Sequence, residues 1–301
     1  MFNLKTLFIT VLLLTAAGLG GMKAYLDHYV HQQVAQLTQQ VAKQATIHYE
    51  QVNVSLLGNL TLKTLNIQSA TLPDIKIATL SLSPLYQLYD DRRFPEFLQL
   101  TIDNLEIPIP DTAPPPPWWL KMAKYDAYYV TPHDLRNLTY TLFQANVTLQ
   151  LQKQQQAVHC SLNIKSQQFG SWQLQTTLEN VATLKQMVTA ITTLSLRDAR
   201  LDYTDNGLMP SIFKLLAQRN AMTTTALQQQ LSQKLQTDLQ HSGVKLDASV
   251  INGLQKFMQT PQHIRVTLAP HPSITLNGLK LLMPENIPQR LNLQIPTSKS
   301  P

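Results

Sequence analysis

Apolar residues recur at every second position through much of this chain. In YEQVNVSLLGNLTLKTLNIQ, residues 49–68, Val52, Val54 and Leu56 alternate with polar residues, Gly58-Asn59 interrupts, and Leu60 and Leu62 resume the alternation. Period two puts one apolar face on a strand, and Gly-Asn between two such runs signals a hairpin. Runs at 52–56, 60–67, 75–82 and 98–109 predict a first β-meander over residues 47–110. The alternation slips by one at Thr64-Leu65, as a β-bulge makes it do. Further runs at 138–142, 147–151, 158–164, 172–178 and 194–203 predict a second meander over residues 135–205.

Between the meanders, residues 111–134 contain DTAPPPPWWLKMAKYDAYYV. Four consecutive prolines favour a stiff polyproline II segment without amide donors. A rigid crossover over a sheet edge is the favoured role; a ligand for a partner's aromatic groove is the alternative, and a Trp/Tyr contact with membrane headgroups requires the segment to fold back towards the anchor. Over residues 206–260 the period becomes helical. Asp205 or Asn206 is placed to cap a helix that has Pro210 in its first turn. Ile212, Leu215 and Leu216 form one stripe, and Leu227, Leu231, Leu235 and Leu239 form another. Asp247 is placed to start a further helix, with Val250, Leu254 and Phe257 on one face, and Thr260-Pro261 ends it. Residues 261–301 return to strand and close in a Pro-rich tail.

The N-terminus differs from all of this. Residues 1–25 hold Lys5 and then an uncharged run to Met22 that includes Leu7, Phe8, Ile9, Val11, Leu12, Leu13 and Leu14. That composition fits either a cleaved signal peptide or an uncleaved membrane anchor. The helical pattern continues through each plausible cut site, which favours the anchor. Over residues 26–46, Val30, Val34, Leu37 and Val41 predict a juxtamembrane helix. The expected fold is therefore α+β: a transmembrane or signal-anchor helix, then a long curved antiparallel sheet with an inserted helical segment packed on it. Export past this segment places the bulk of the chain, in a bacterium, in the periplasm.

Charged residues make up 14% of the chain and the net charge is +6. The basic residues are scattered, and the densest knot, Asp90-Asp91-Arg92-Arg93, neutralises itself. A nucleic-acid binder would carry a basic stripe with interleaved aromatics, so nucleic acid is not expected as a partner. Cys160 is the sole cysteine, which rules out an intramolecular disulfide and a Cys-based zinc site. Phosphate-binding glycine loops, G-x-S-x-G and H-E-x-x-H cannot be written from this sequence.

Asp27 and His31 have helical metal-ligand spacing, with His28 beside them, but no further ligands accompany them. His159 and Cys160 are strand neighbours and point to opposite faces, so they do not make an activated pair. Asp198, Asp202 and Asp205 lie among Arg197 and Arg200 on what reads as an ordinary polar face. A hydrolase using Asp198 or Asp202 is the enzymatic alternative. No catalytic residue, metal or cofactor is assigned, and the chain is not expected to be an enzyme.

The first 110 residues resemble the AsmA-like family of bacterial envelope proteins. The carriers are the N-terminal anchor, the polar helix and IHYEQVNVSLLGNLTLKTLNIQSATLPDIKIATLSLSP, where a Gly-turn hairpin leads to LTLKTLNIQ and IKIATLSLSP. The resemblance implies one inner-membrane helix and a periplasmic sheet curved into an apolar groove, with a role in moving or organising phospholipid. The groove candidates are Val52, Val54, Leu56, Leu60, Leu62, Ile75, Ile77, Leu80, Leu82, Leu98, Leu100 and Ile102. The expected partners are the inner membrane, phospholipid acyl chains and other envelope proteins. A non-catalytic adaptor that captures envelope proteins through a sheet edge or the Pro-Trp segment is the alternative function.

Overall fold

The structure, a computed structural model, describes His28 and residues 45–69, 73–88, 93–244 and 246–296. The predicted anchor, nearly all of the predicted 26–46 helix and the Asp27/His31 pair fall outside the described residues. The one described stretch at the end of that predicted helix is a strand, since β1 already begins at Ala45. Among the described residues, no helix is long and apolar enough to cross a membrane.

Among the described residues, eleven strands form a single antiparallel sheet: β1 (Ala45–His48), β2 (Gln51–Val54), β3 (Leu60–Ser69), β4 (Ile75–Ser83), β5 (Phe97–Pro108), β6 (Leu142–Gln154), β7 (Ala157–Ser166), β8 (Gly170–Glu179), β9 (Ser195–Thr204), β10 (His263–Leu268) and β11 (Ile274–Thr275). From β3 to β10 the spatial order is the chain order. The two predicted meanders are thus one, because β5 pairs directly with β6 across the crossover. At one edge β1 and β2 both pair with β3, and at the other β10 and β11 both pair with β9. Each outer strand is broken in two, which blunts the edges against further pairing.

The expected strand over 138–142 does not form. Thr131 caps a short helix, α2 (Pro132–Asn137), through a capping box with Asp134, and β6 starts only at Leu142. Local capping chemistry outweighs the short alternating pattern there. Before α2 the crossover holds α1 (Trp118–Met122), just after the four prolines. A further short helix, α3 (Leu184–Thr189), joins β8 to β9.

The predicted insertion resolves into α4 (Leu208–Arg219), α5 (Thr224–Ser242) and α6 (Ala248–Gln259). Asp205 does the capping of α4, accepting from the amides of Gly207 and Met209, and Asp247 caps α6 through Ser249. The tail adds α7 (Leu276–Leu279) and α8 (Ile287–Arg290). The helices build a core of their own from Phe213, Leu216, Ala217 and Leu227, closed by Tyr128 and Val130 of the crossover. The Arg219 guanidinium donates to buried Asp134 and to the Tyr129 carbonyl, which fastens the crossover to α4.

Candidate functional site: the apolar face of the sheet

The strand register turns the period-two pattern into two chemically opposite faces. On one face, Val54, Leu60, Leu82, Leu100, Leu149, Leu162, Leu174, Leu201 and Val266 are successive cross-strand partners, an unbroken aliphatic row from one edge to the other. A second row runs beside it through Val52, Leu62, Leu80, Ile102, Val147, Ile164, Trp172, Tyr203 and Ile264. The opposite face has a matching polar row: Asn53, Thr61, Ser81, Thr101, Thr148, Asn163, Gln173, Asp202 and Arg265. At about 4.8 Å per strand, each row is roughly 40 Å long.

The apolar rows survive a seam of irregular backbone. Thr64 and Asn104 both adopt left-handed φ, at 54° and 51°. The pairs that flank them, Lys63 with Thr79 and Leu65 with Ile77, keep one register, so β3 and β4 slip together. The seam continues into β5, where Ile77 still meets Leu105, and it is absorbed as a bulge against β6. There the Asn146 side chain accepts from the Asn104 amide at 2.8 Å. Because neighbouring strands slip at the same place, Leu62 and Leu65 return to the same face although they are three residues apart.

Packing covers the two ends of this face more than its middle. At one end Phe94, Leu98, Leu151, Val158, Cys160, Val181 and Leu194 form a buried cluster beneath α3. Val54 and Leu60 make a smaller one with Leu85. At the other end an aromatic string links Tyr140, Phe169, Phe143, Trp172, Tyr203 and Phe257, with successive centroids 5.2–6.5 Å apart, and ties α6 to β9. Between them Leu100, Leu149, Leu162 and Leu174 are only half-buried, and Leu201 is 37% exposed.

The groove candidates from the sequence divide accordingly. Val52, Leu62, Ile75, Leu80, Leu82, Leu100 and Ile102 lie half-buried on the apolar face. Val54, Leu60, Ile77 and Leu98 share that face but are core residues, closed to a ligand. Leu56 is a correction: it stands 40% exposed in the β2–β3 turn, off the ladder. The N-terminal candidates leave out Leu149, Leu162, Leu174 and Leu201, which continue the same row. Their signal was present in the alternation of the second meander, but their alignment with the first depends on pairing across the crossover.

The polar face holds the titratable groups. Asp202 accepts from Arg200 Nε and Arg265 Nε, both at 2.6 Å, and His263 Nε2 stands 3.4 Å away. Burial alone would raise its pKa, but the two guanidiniums outweigh burial and hold the carboxylate below its ordinary range. Asp198 accepts from Thr177 Oγ1 at 3.0 Å and Arg197 Nε at 3.3 Å. The two carboxylates lie four residues apart on one strand, about 13 Å by strand rise, whereas a glycosidase pair stands within about 10 Å. Asp205 is spent on the α4 cap. Cys160 is buried on the apolar face, as its alternation indicated, and burial pushes its thiol up to about 11. Among the described residues, no three His, Cys, Asp or Glu side chains converge as a metal site would need.

Fold and face together define a class: an open, two-faced antiparallel meander with a helical subdomain inserted before its last strands. The chain belongs to a family described as "Uncharacterized protein", whose profile matches residues 133–298, from α2 through the tail. No curated protein matches the chain.

Proposed function

We propose that this is an inner-membrane-anchored periplasmic protein of AsmA-like type, whose sheet curves into a trough that holds phospholipid acyl chains and serves lipid transport or envelope homeostasis. The observation that carries the reading is the pair of apolar rows running edge to edge, half-open in the middle, in which the polar side-chain groups are the Trp172 indole N–H and the Tyr203 hydroxyl, the latter turned away to Asp205 and the Phe169 carbonyl. Such a surface offers little to recognise by hydrogen bonding. It gains about 0.8 kcal/mol for each CH₂ it removes from water, which suits an alkyl chain. The N-terminal apolar run supplies the membrane attachment in this reading, and β1–β5 carry the AsmA-like layout.

The test is native mass spectrometry with lipid extraction, on protein purified from a bacterial envelope. Bound phospholipid is expected, and Leu62→Asp and Leu201→Asp should each lower its occupancy while circular dichroism is unchanged. A folded protein free of lipid under both solvent and detergent extraction would sink the proposal. Ile77 is unsuitable for this test because it is core. The adaptor reading draws support from one feature, the 71% exposed Trp118.

A further inference from the structure

Large apolar side chains are exposed outside the trough at both ends of the strands, and in the tail at Leu281 and Met283. Leu57 and Tyr86 project at the end where β3 starts and β4 stops. Trp118 and Met122 project from the crossover at the opposite end. The register fixes the end at which the described chain enters the sheet. Ala45 pairs with Ser69, so the chain enters the sheet where β3 finishes. Pro108 pairs with Leu142 at that same end, so the crossover leaves and returns there. The Leu57 end lies roughly 34 Å further on, the length of a ten-residue strand.

The crossover is held at its base and bare at its tip. Tyr125 packs under the Lys234 ammonium of α5, 4.4 Å from the ring centroid, and its hydroxyl bonds Asp238. On the return, the His133 amide donates to the Thr112 carbonyl at 2.9 Å and the His133 ring meets Asp111 at 2.6 Å. Between these fixed points Pro114 and Pro115 are exposed, and α1 presents Trp118 and Met122, four residues apart and thus on one face, at 71% and 74% exposure. Exposed Lys121 and Lys124 flank them, and residues 112–125 contain no acidic side chain.

We infer that α1 is a second membrane contact: Trp118 and Met122 enter the headgroup region of the bilayer that holds the N-terminal run, and Lys121 and Lys124 pair with anionic lipid phosphates. This rests on the membrane attachment proposed above. A short helix with an apolar face flanked by lysines suits a membrane interface, where Trp settles and cations meet anionic headgroups. Two attachments, one at the N-terminus and one at the crossover, fix how the sheet stands on the membrane. The strands then run away from the bilayer, and the trough opens beside it.

The test uses the full chain carrying a nitroxide at Met122→Cys or, separately, at Leu57→Cys, in vesicles of phosphatidylethanolamine and phosphatidylglycerol. The native Cys160 is buried, and a chain without an added cysteine gives the background. Flotation with the vesicles is expected. The label at 122 should collide more with oxygen than with a water-soluble nickel chelate, and the label at 57 should show the reverse. Lys121→Glu with Lys124→Glu should return the 122 label to aqueous accessibility while flotation persists. A chain that floats but keeps the 122 label aqueous overturns this inference and leaves the anchor standing. A chain that does not float overturns both.

Discussion

Thr64 shows most directly how a residue serves the surface rather than itself. A β-branched side chain in the left-handed region is disfavoured, since its Cβ crowds the backbone. The strand needs that conformation to keep Leu62 and Leu65 on one face. Thr64→Asn should therefore stabilise the protein by about 0.5–1 kcal/mol, seen as a rise in denaturant midpoint with unchanged m-value. Asp202 makes the opposite kind of contribution. Asp202→Asn should cost about 2 kcal/mol at pH 7, because it loses two charge-assisted hydrogen bonds and leaves two guanidiniums facing each other. Its folded pKa lies below the ordinary 3.8, so its stabilisation is complete above that value and is lost as pH falls through the depressed one. The gap between wild type and variant, followed by denaturant titration, should hold from pH 7 to about 4 and shrink only below that. The sequence placed Asp202 correctly on a polar face. It did not reveal Arg265 as the second partner, 63 residues away, since that pairing is set by β9–β10 register alone.

Among the elements, those with strong local signals were legible and those decided by contact were not. The strands followed their alternation, α4 and α6 followed their Asp caps, and even the Thr64 slip was visible in the spacing of leucines. The 138–142 run failed because five residues of alternation compete poorly with the Thr131–Asp134 capping box and the helix it starts immediately upstream. The course of the tail was not legible at all. It is held where residues 294–296 lie against α6, and Gly253 makes that possible: a Cβ there would sit 2.2 Å from Ile295 Cγ2 and 2.6 Å from its carbonyl oxygen. Thr267 and Gln294 complete the attachment by exchanging backbone hydrogen bonds at 2.9 and 3.0 Å. Gly253→Ala should leave α6 helical but release the tail. Amides of residues 291–296 should then exchange with solvent much faster, while those of β6–β8 stay protected. Unchanged exchange in the tail would show that Ile295 is not what anchors it.

For the whole molecule, the faces of the sheet could be read from the sequence, but their continuity could not. Alternation told which residues share a face within a strand; only the register shows that Leu82, Leu100, Leu149 and Leu162 form one line across the crossover. The coincidence of strand order with chain order has a further consequence, for how such a molecule is assembled and how it changes in length. No strand from β3 to β9 waits for a partner later than its neighbour in sequence, so each can pair with its predecessor as the chain emerges, and, the long β5–β6 crossover apart, each closure costs little loop entropy. The same arrangement makes the sheet modular. A hairpin gained or lost at a turn such as that between β6 and β7 lengthens or shortens both rows by two strands, about 10 Å, without rethreading the rest. The reach of the apolar surface is thus set by the number of hairpins, and evolution can adjust it one duplication at a time.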